Sequence, residues 1–113
     1  MSMFYRSTRD DNVKVTASQA ILKGLAADGG LFVPESIPSL DKSLEELSKM
    51  NYKEVAYEVM KLMLDDFTEE ELKSCIDRAY DSKFDTEEMT PLVKVENEYF
   101  LELFHGATTV SYT

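Results

Sequence analysis

The chain has 113 residues, with 22 acidic side chains against 12 basic ones and a net charge of −10, giving a pI near 4.5. At 43% hydrophobic and 30% charged residues it has the composition of an ordinary folded domain, and its length suits a single one. The charge repels phosphate backbones and anionic membrane surfaces, no run approaches the roughly 18 apolar residues of a membrane span, and a lone cysteine, Cys75, excludes an intrachain disulfide or a multi-cysteine zinc site.

The first residues, Met1 to Asp11, carry charges and lack the apolar core of a signal peptide, so a soluble cytoplasmic protein is expected. Phe4 to Thr8 is a β-favouring run ended by the turn-forming Arg9-Asp-Asp-Asn12, and predicts a first strand. Thr16 with Gln19 makes a capping box for a helix of about three turns, on which Ile21, Leu22 and Leu25 share a face and which stops before Gly29-Gly30. Between Asp28 and Pro38 the glycines and prolines predict an ordered loop with a short extended run, Leu31 to Val33.

Ser43 with Glu46 caps a brief helix carrying Leu44 and Leu47, and Asn51 with Glu54 starts a longer one, roughly Tyr52 to Leu64. That helix is expected to bury Val55, Ala56, Val59, Leu62 and Met63 on one face. Thr68 with Glu71 opens a further helix, with acids in its first turn and Leu72, Cys75, Ile76 and Ala79 facing inward. Cys75 there reads as a small buried hydrophobe. Beyond Phe84 the period changes to an alternating one, and Pro91 to Glu96 and Tyr99 to Phe104 predict a hairpin turning at Asn97-Glu98. Such a hairpin is marginal alone and needs the first strand or the helices to cover it. The expected fold is a small α+β domain over residues 1–113, with about four helices, a short initial strand and a terminal hairpin.

His105 is the only histidine. With no second histidine and no partner cysteine, a zinc site is not expected, and by itself His105 reads as a strand-end residue holding a turn by hydrogen bonds. Asp28-Gly29-Gly30 is not a phosphate loop, since neither glycine-rich nucleotide pattern is present; it reads as a helix stop or a loop of close backbone approach. Arg6, Ser7, Thr8 and Arg9 have the chemistry of an anion-binding cluster, or else pair with Asp10 and Asp11. The acids at Glu69 to Glu71 and Asp85 to Glu88 read as solvated helix ends.

Three stretches in order, Tyr5-Arg-Ser-Thr-Arg9, Ala27-Asp-Gly-Gly-Leu-Phe-Val-Pro34 and Leu101-Glu-Leu-Phe-His-Gly-Ala-Thr108, closely resemble the amino-terminal domain of the threonine synthase family. That family's pattern at the third stretch reads roughly F-H-G-P-T-x-A-F-K-D, where the lysine forms the Schiff base with pyridoxal phosphate. Phe104, His105, Gly106 and Thr108 match, Ala107 replaces the proline, and Tyr112 falls at the lysine.

The resemblance implies a fragment of a lyase that converts O-phosphohomoserine and water to threonine and phosphate. It places His105, Gly106 and Thr108 near the parent enzyme's pocket, with no catalytic or metal-binding residue and no cofactor-binding residue in this chain. Pyridoxal phosphate belongs to the parent and is not expected to bind this chain alone. The expected partners are the parent's catalytic domains, or a second copy through apolar patches or the hairpin edge. Residues 110–113 form an atypical tail. The alternative is a non-catalytic acidic α+β interaction module.

Overall fold

A computed structural model describes residues 2–81 and 87–106; Thr108, Tyr112 and the tail at 110–113 lie outside these, as do Asp85 and Thr86 of the acidic stretch. The elements run β1 (Tyr5–Ser7), α1 (Ala17–Lys23), β2 (Phe32–Pro34), α2 (Leu44–Ser48), α3 (Tyr52–Met63), α4 (Glu69–Ala79), β3 (Leu92–Val95) and β4 (Glu98–Leu101). This is the α+β arrangement expected, with its hairpin at the end.

All four helices start as the sequence dictates. Thr16, Ser43, Asn51 and Thr68 each accept from the amide three residues on, while Gln19, Glu46, Glu54 and Glu71 reach back to the cap amide. Helices α3 and α4 lie antiparallel. Tyr52 at the start of one meets Tyr80 past the end of the other edge-on, with ring centroids 5.0 Å apart, and Lys53 pairs with Asp77 at 3.2 Å. Leu72 and Ile76 of α4 are buried in this seam.

The first strand pairs with β2 rather than with the terminal hairpin. The register is Tyr5 with Pro34, Arg6 with Val33 and Ser7 with Phe32, and Tyr5 also bridges Val15 on its other side. The two pairs of strands thus form separate sheets. Four hydrogen bonds from three residues tie the β1 and α1 region to the junction after α3. The Tyr5 hydroxyl donates to the Met63 carbonyl at 2.6 Å, the Met3 amide donates to Asp65 at 2.6 Å, and the Ser18 amide and hydroxyl both donate to Asp66.

Burial corrects three expectations. On α1 the buried residues are Ala17 and Ala20, whereas Leu22 is 87% exposed and Ile21 and Leu25 are also open. The larger apolar side chains need more cover than a seven-residue helix beside two short strands can provide. On α3 the buried residue is Glu58, while Val59 points outward. Lys61 Nζ sits 2.6 Å from Glu58 Oε2 and Lys42 Nζ at 4.0 Å. Glu58 is thus held by the charges of two lysines whose stems cover it. On α4, Cys75 is exposed, as is Ala79, because the buried part of α4 is the narrow strip of Leu72 and Ile76.

Candidate functional site

The most closely knit polar cluster joins the end of β1 to the loop before β2. Ser7 is 1% exposed, turned inward by the strand's alternation. Its hydroxyl lies 2.7 and 2.9 Å from the two carboxylate oxygens of Asp28, donates there, and accepts from the Arg9 amide at 3.1 Å. The Gly30 amide donates to Asp28 at 2.8 Å. The Arg9 guanidinium donates to the Asp28 carbonyl at 2.9 Å, and Thr8 accepts from the Leu31 amide at 3.0 Å. These hydrogen bonds, led by that of the Gly30 amide and followed by that of Ser7, hold the Asp28 carboxyl below its ordinary range.

The glycines are required by contact. Gly29 has a φ of +82°, and a Cβ there would sit 2.9 Å from Arg9 Nη1; a Cβ on Gly30 would meet Ser7 Oγ at 2.3 Å. The close approach foreseen for this loop is therefore made by the chain's own β1. The arginine cluster does not converge on an open anion site. Arg9 is turned onto the Asp28 carbonyl, and Arg6 pairs with Asp11 at 3.2 Å.

At the other end, the hairpin pairs Leu92 with Leu101, Val93 with Phe100, Lys94 with Tyr99 and Val95 with Glu98. The turn is Glu96-Asn97, one residue earlier than the sequence suggested, with Glu96 at a φ of +56°. The Glu102 amide extends the ladder to the Pro91 carbonyl at 2.9 Å. His105 Nε2 lies 2.9 Å from Glu102 Oε1 with a largely covered side chain, and its ring stacks at a tilt 4.5 Å from that of Phe104. His105 thus anchors the strand end beside Gly106.

Pyridoxal phosphate needs a lysine amine for the imine and a set of donors for its phosphate. Neither Lys61, Lys73 nor the glycine loop fits it. Lys61 and Lys73 are held protonated, by Glu58 and by Glu69 respectively, the opposite of an activated amine. The amides of the glycine loop are already engaged, Gly29 with the Ala26 carbonyl, Gly30 with Asp28 and Leu31 with Thr8. Among the described residues no cluster of three or more histidine, cysteine or acidic side chains is placed to hold a metal, and no helix is long and apolar enough to cross a membrane.

What this geometry defines is a small α+β unit closed by an internal polar lock, with apolar surface left open on α1 and on the hairpin. Residues 4–80 match the family model described as the threonine synthase N terminus. The chain belongs to that family. Threonine synthase of Saccharomyces cerevisiae is 40% identical over 117 residues, covering 95% of this chain and 23% of that protein. The crystal structure of threonine synthase from yeast superposes with a TM-score of 0.80 at 39% identity, over 93% of this chain and 22% of that one. The pyridoxal-phosphate-bound threonine synthase from Brucella melitensis gives 0.77 at 34% identity, over 93% and 23%. The chain therefore spans under a quarter of the length of these relatives.

Proposed function

We propose that this chain acts as the amino-terminal part of a threonine synthase, cytoplasmic, with the remainder of that enzyme as its partner. In the assembled enzyme the reaction is the pyridoxal-phosphate-dependent conversion of O-phosphohomoserine and water to threonine and phosphate. The observation that carries this reading is the agreement of family match and fold over the same residues, reaching a TM-score of 0.80 with a threonine synthase.

The chain's own contribution is architectural. Its lock fixes the glycine loop against β1, its helical pair is stapled to the β1 and α1 region through Met63, Asp65 and Asp66, and the hairpin delivers His105 and Gly106 to the edge of the parent's pocket. Without the lysine, since Tyr112 stands at its position in the family pattern, the chain alone performs no turnover. Nothing in the comparisons favours a free-standing interaction module.

The test is phosphate release from O-phosphohomoserine with added pyridoxal phosphate. The isolated chain should give none above blank. Residues 1–106 grafted in place of the matching segment of the yeast enzyme should restore release. An inactive graft that still folds, or an active isolated chain, would refute the proposal.

A further inference from the structure

Asp28 is followed by Gly29, and no other aspartate or asparagine of the chain precedes a glycine. This pair is open to an internal rearrangement, because glycine has no side chain to hinder the attack of its own backbone nitrogen on the neighbouring carboxyl carbon. The attack forms a bond from Gly29 N to Asp28 Cγ and closes a five-membered succinimide, while the hydroxyl of the protonated carboxyl leaves with the amide proton as one molecule of water. Water then opens the ring at either carbonyl. One opening restores aspartate; the other gives isoaspartate, whose main chain runs through Cβ and Cγ and whose α-carboxylate becomes the side group. Nothing is oxidised or reduced.

In the folded chain each participant in that attack is engaged elsewhere. The Ser7 hydroxyl spans both Asp28 carboxylate oxygens at 2.7 and 2.9 Å. The Gly30 amide donates to Oδ1 at 2.8 Å, which turns the carboxyl toward the nitrogen one residue past the one that would attack it. The Gly29 N–H donates to the Ala26 carbonyl at 2.9 Å, and Arg9 holds the Asp28 carbonyl of the same peptide at 2.9 Å, so that peptide plane is fixed at both ends. The bonds from Gly30 and Ser7 also favour the ionised carboxyl, which has no hydroxyl to lose. Burial is not the restraint: Asp28 and Gly29 are exposed, and water has access to the ring once it forms.

We infer that Asp28-Gly29 is a latent isoaspartate site, kept unreactive by the contacts of Ser7, Arg9, Gly29 and Gly30 and converted when β1 releases the loop. The lock is thus a chemical shield as well as a structural one. Conversion runs one way for this fold. Isoaspartate lengthens the main chain by one carbon and moves the carboxylate onto a shorter arm, so the Ser7 hydroxyl and the Gly30 amide can no longer both reach it. A chain whose loop has stood open keeps the mark after it closes.

The experiment incubates the purified chain for weeks at body temperature and neutral pH. Isoaspartate is counted with a methyltransferase specific for its free α-carboxylate, and placed by loss of cleavage at Asp28 with an aspartate-specific endoproteinase. Ser7→Ala removes the hydroxyl that spans the carboxylate, and should convert about 5–30-fold faster than the natural chain, the factor by which losing a hydrogen bond to a charged group raises the share of opened loop. Thr68→Ala weakens the cap of α4 and leaves the lock intact, so its rate should stay within about twofold of the natural one. Asp28→Glu, which can close only a six-membered ring, should give no isoaspartate-type product at this position. A second measurement needs no variant: the natural chain should convert at least about tenfold more slowly folded than in urea.

Equal rates in the folded and urea-unfolded chain would overturn the inference, since the lock would then shield nothing. So would a Thr68→Ala chain that converts as fast as Ser7→Ala, which would make general unfolding the cause, or isoaspartate that accumulates at other aspartates and not at position 28.

Discussion

Replacing Gly30 by alanine tests the polar lock at its tightest point. The added carbon would lie 2.3 Å from Ser7 Oγ and 3.0 Å from Asp28 Oδ1 and Thr8 Oγ1, so on the order of 1 Å of separation must be found to reach ordinary contact. Ser7 is 1% exposed and has little room to retreat. Pushing the strand aside costs about 1–3 kcal/mol as overpacking. Rotating the hydroxyl away instead leaves a buried donor unsatisfied, again about 1–3 kcal/mol. Either route gives a loss near 2 kcal/mol, or a midpoint about 8–16 °C lower for a unit of this size. Urea unfolding followed by far-ultraviolet circular dichroism measures it. The mechanism also fixes a coupling: with Ser7→Ala in place the clashing oxygen is gone, so Gly30→Ala should cost at least about 1 kcal/mol less than in the natural chain. A loss below about 0.5 kcal/mol, or two substitutions that simply add, would refute the reasoning.

The lock and the Asp66 staple should also shape the acid limb of stability. Asp28 is held below its ordinary 3.8 by the Gly30 amide and Ser7; at Asp66 burial pushes upward, but the bonds from Ser18 outweigh it and the net shift is downward. Depressed carboxyls contribute stability that is complete above the ordinary value and is lost as pH falls below it through the folded value. Urea midpoints should therefore drop steeply below about pH 4, and less steeply in Asp28→Asn and Asp66→Asn; an unchanged acid slope in both variants argues against these bonds. Thr68→Ala removes the hydroxyl that caps α4 and should cost about 1 kcal/mol in the same assay, with Thr68→Ser retaining most of it. Cys75 is exposed, with its sulfur 3.6 Å from the Arg78 guanidinium, so an aromatic disulfide reagent should titrate it in the folded chain; reaction only after adding denaturant would contradict this placement.

The helix starts were the most legible part of the fold, since a capping box is a local arrangement of four consecutive residues. Each of Thr16, Ser43, Asn51 and Thr68 begins a helix as read. The burial direction was not legible at α1, where the apolar stripe of Ile21, Leu22 and Leu25 signals a covered face while the structure buries the small Ala17 and Ala20 instead. Cys75 and Val59 were misplaced for a related reason. Helical periodicity defines a face several residues wide, whereas the α3–α4 seam closes on a narrower strip. The pairing of Ser7 with Asp28 spans 21 residues and leaves no local signature; the adjacent glycines announced a close approach without naming what approaches. At the candidate site, the motif around His105 was recognisable as sequence, and the structure adds its anchor, Glu102.

The staples that hold β1 and α1 to the α3–α4 junction join residues 62, 58 and 48 positions apart. During synthesis Met3, Tyr5 and Ser18 leave the ribosome well before Met63, Asp65 and Asp66 exist, at about 5–20 residues per second. These three groups must wait several seconds for their partners, which come only with the end of α3 and the loop after it. A shortened nascent chain stopping before residue 63 would keep β2 as the partner of its first strand but lack every anchor that fastens that strand pair to the helices.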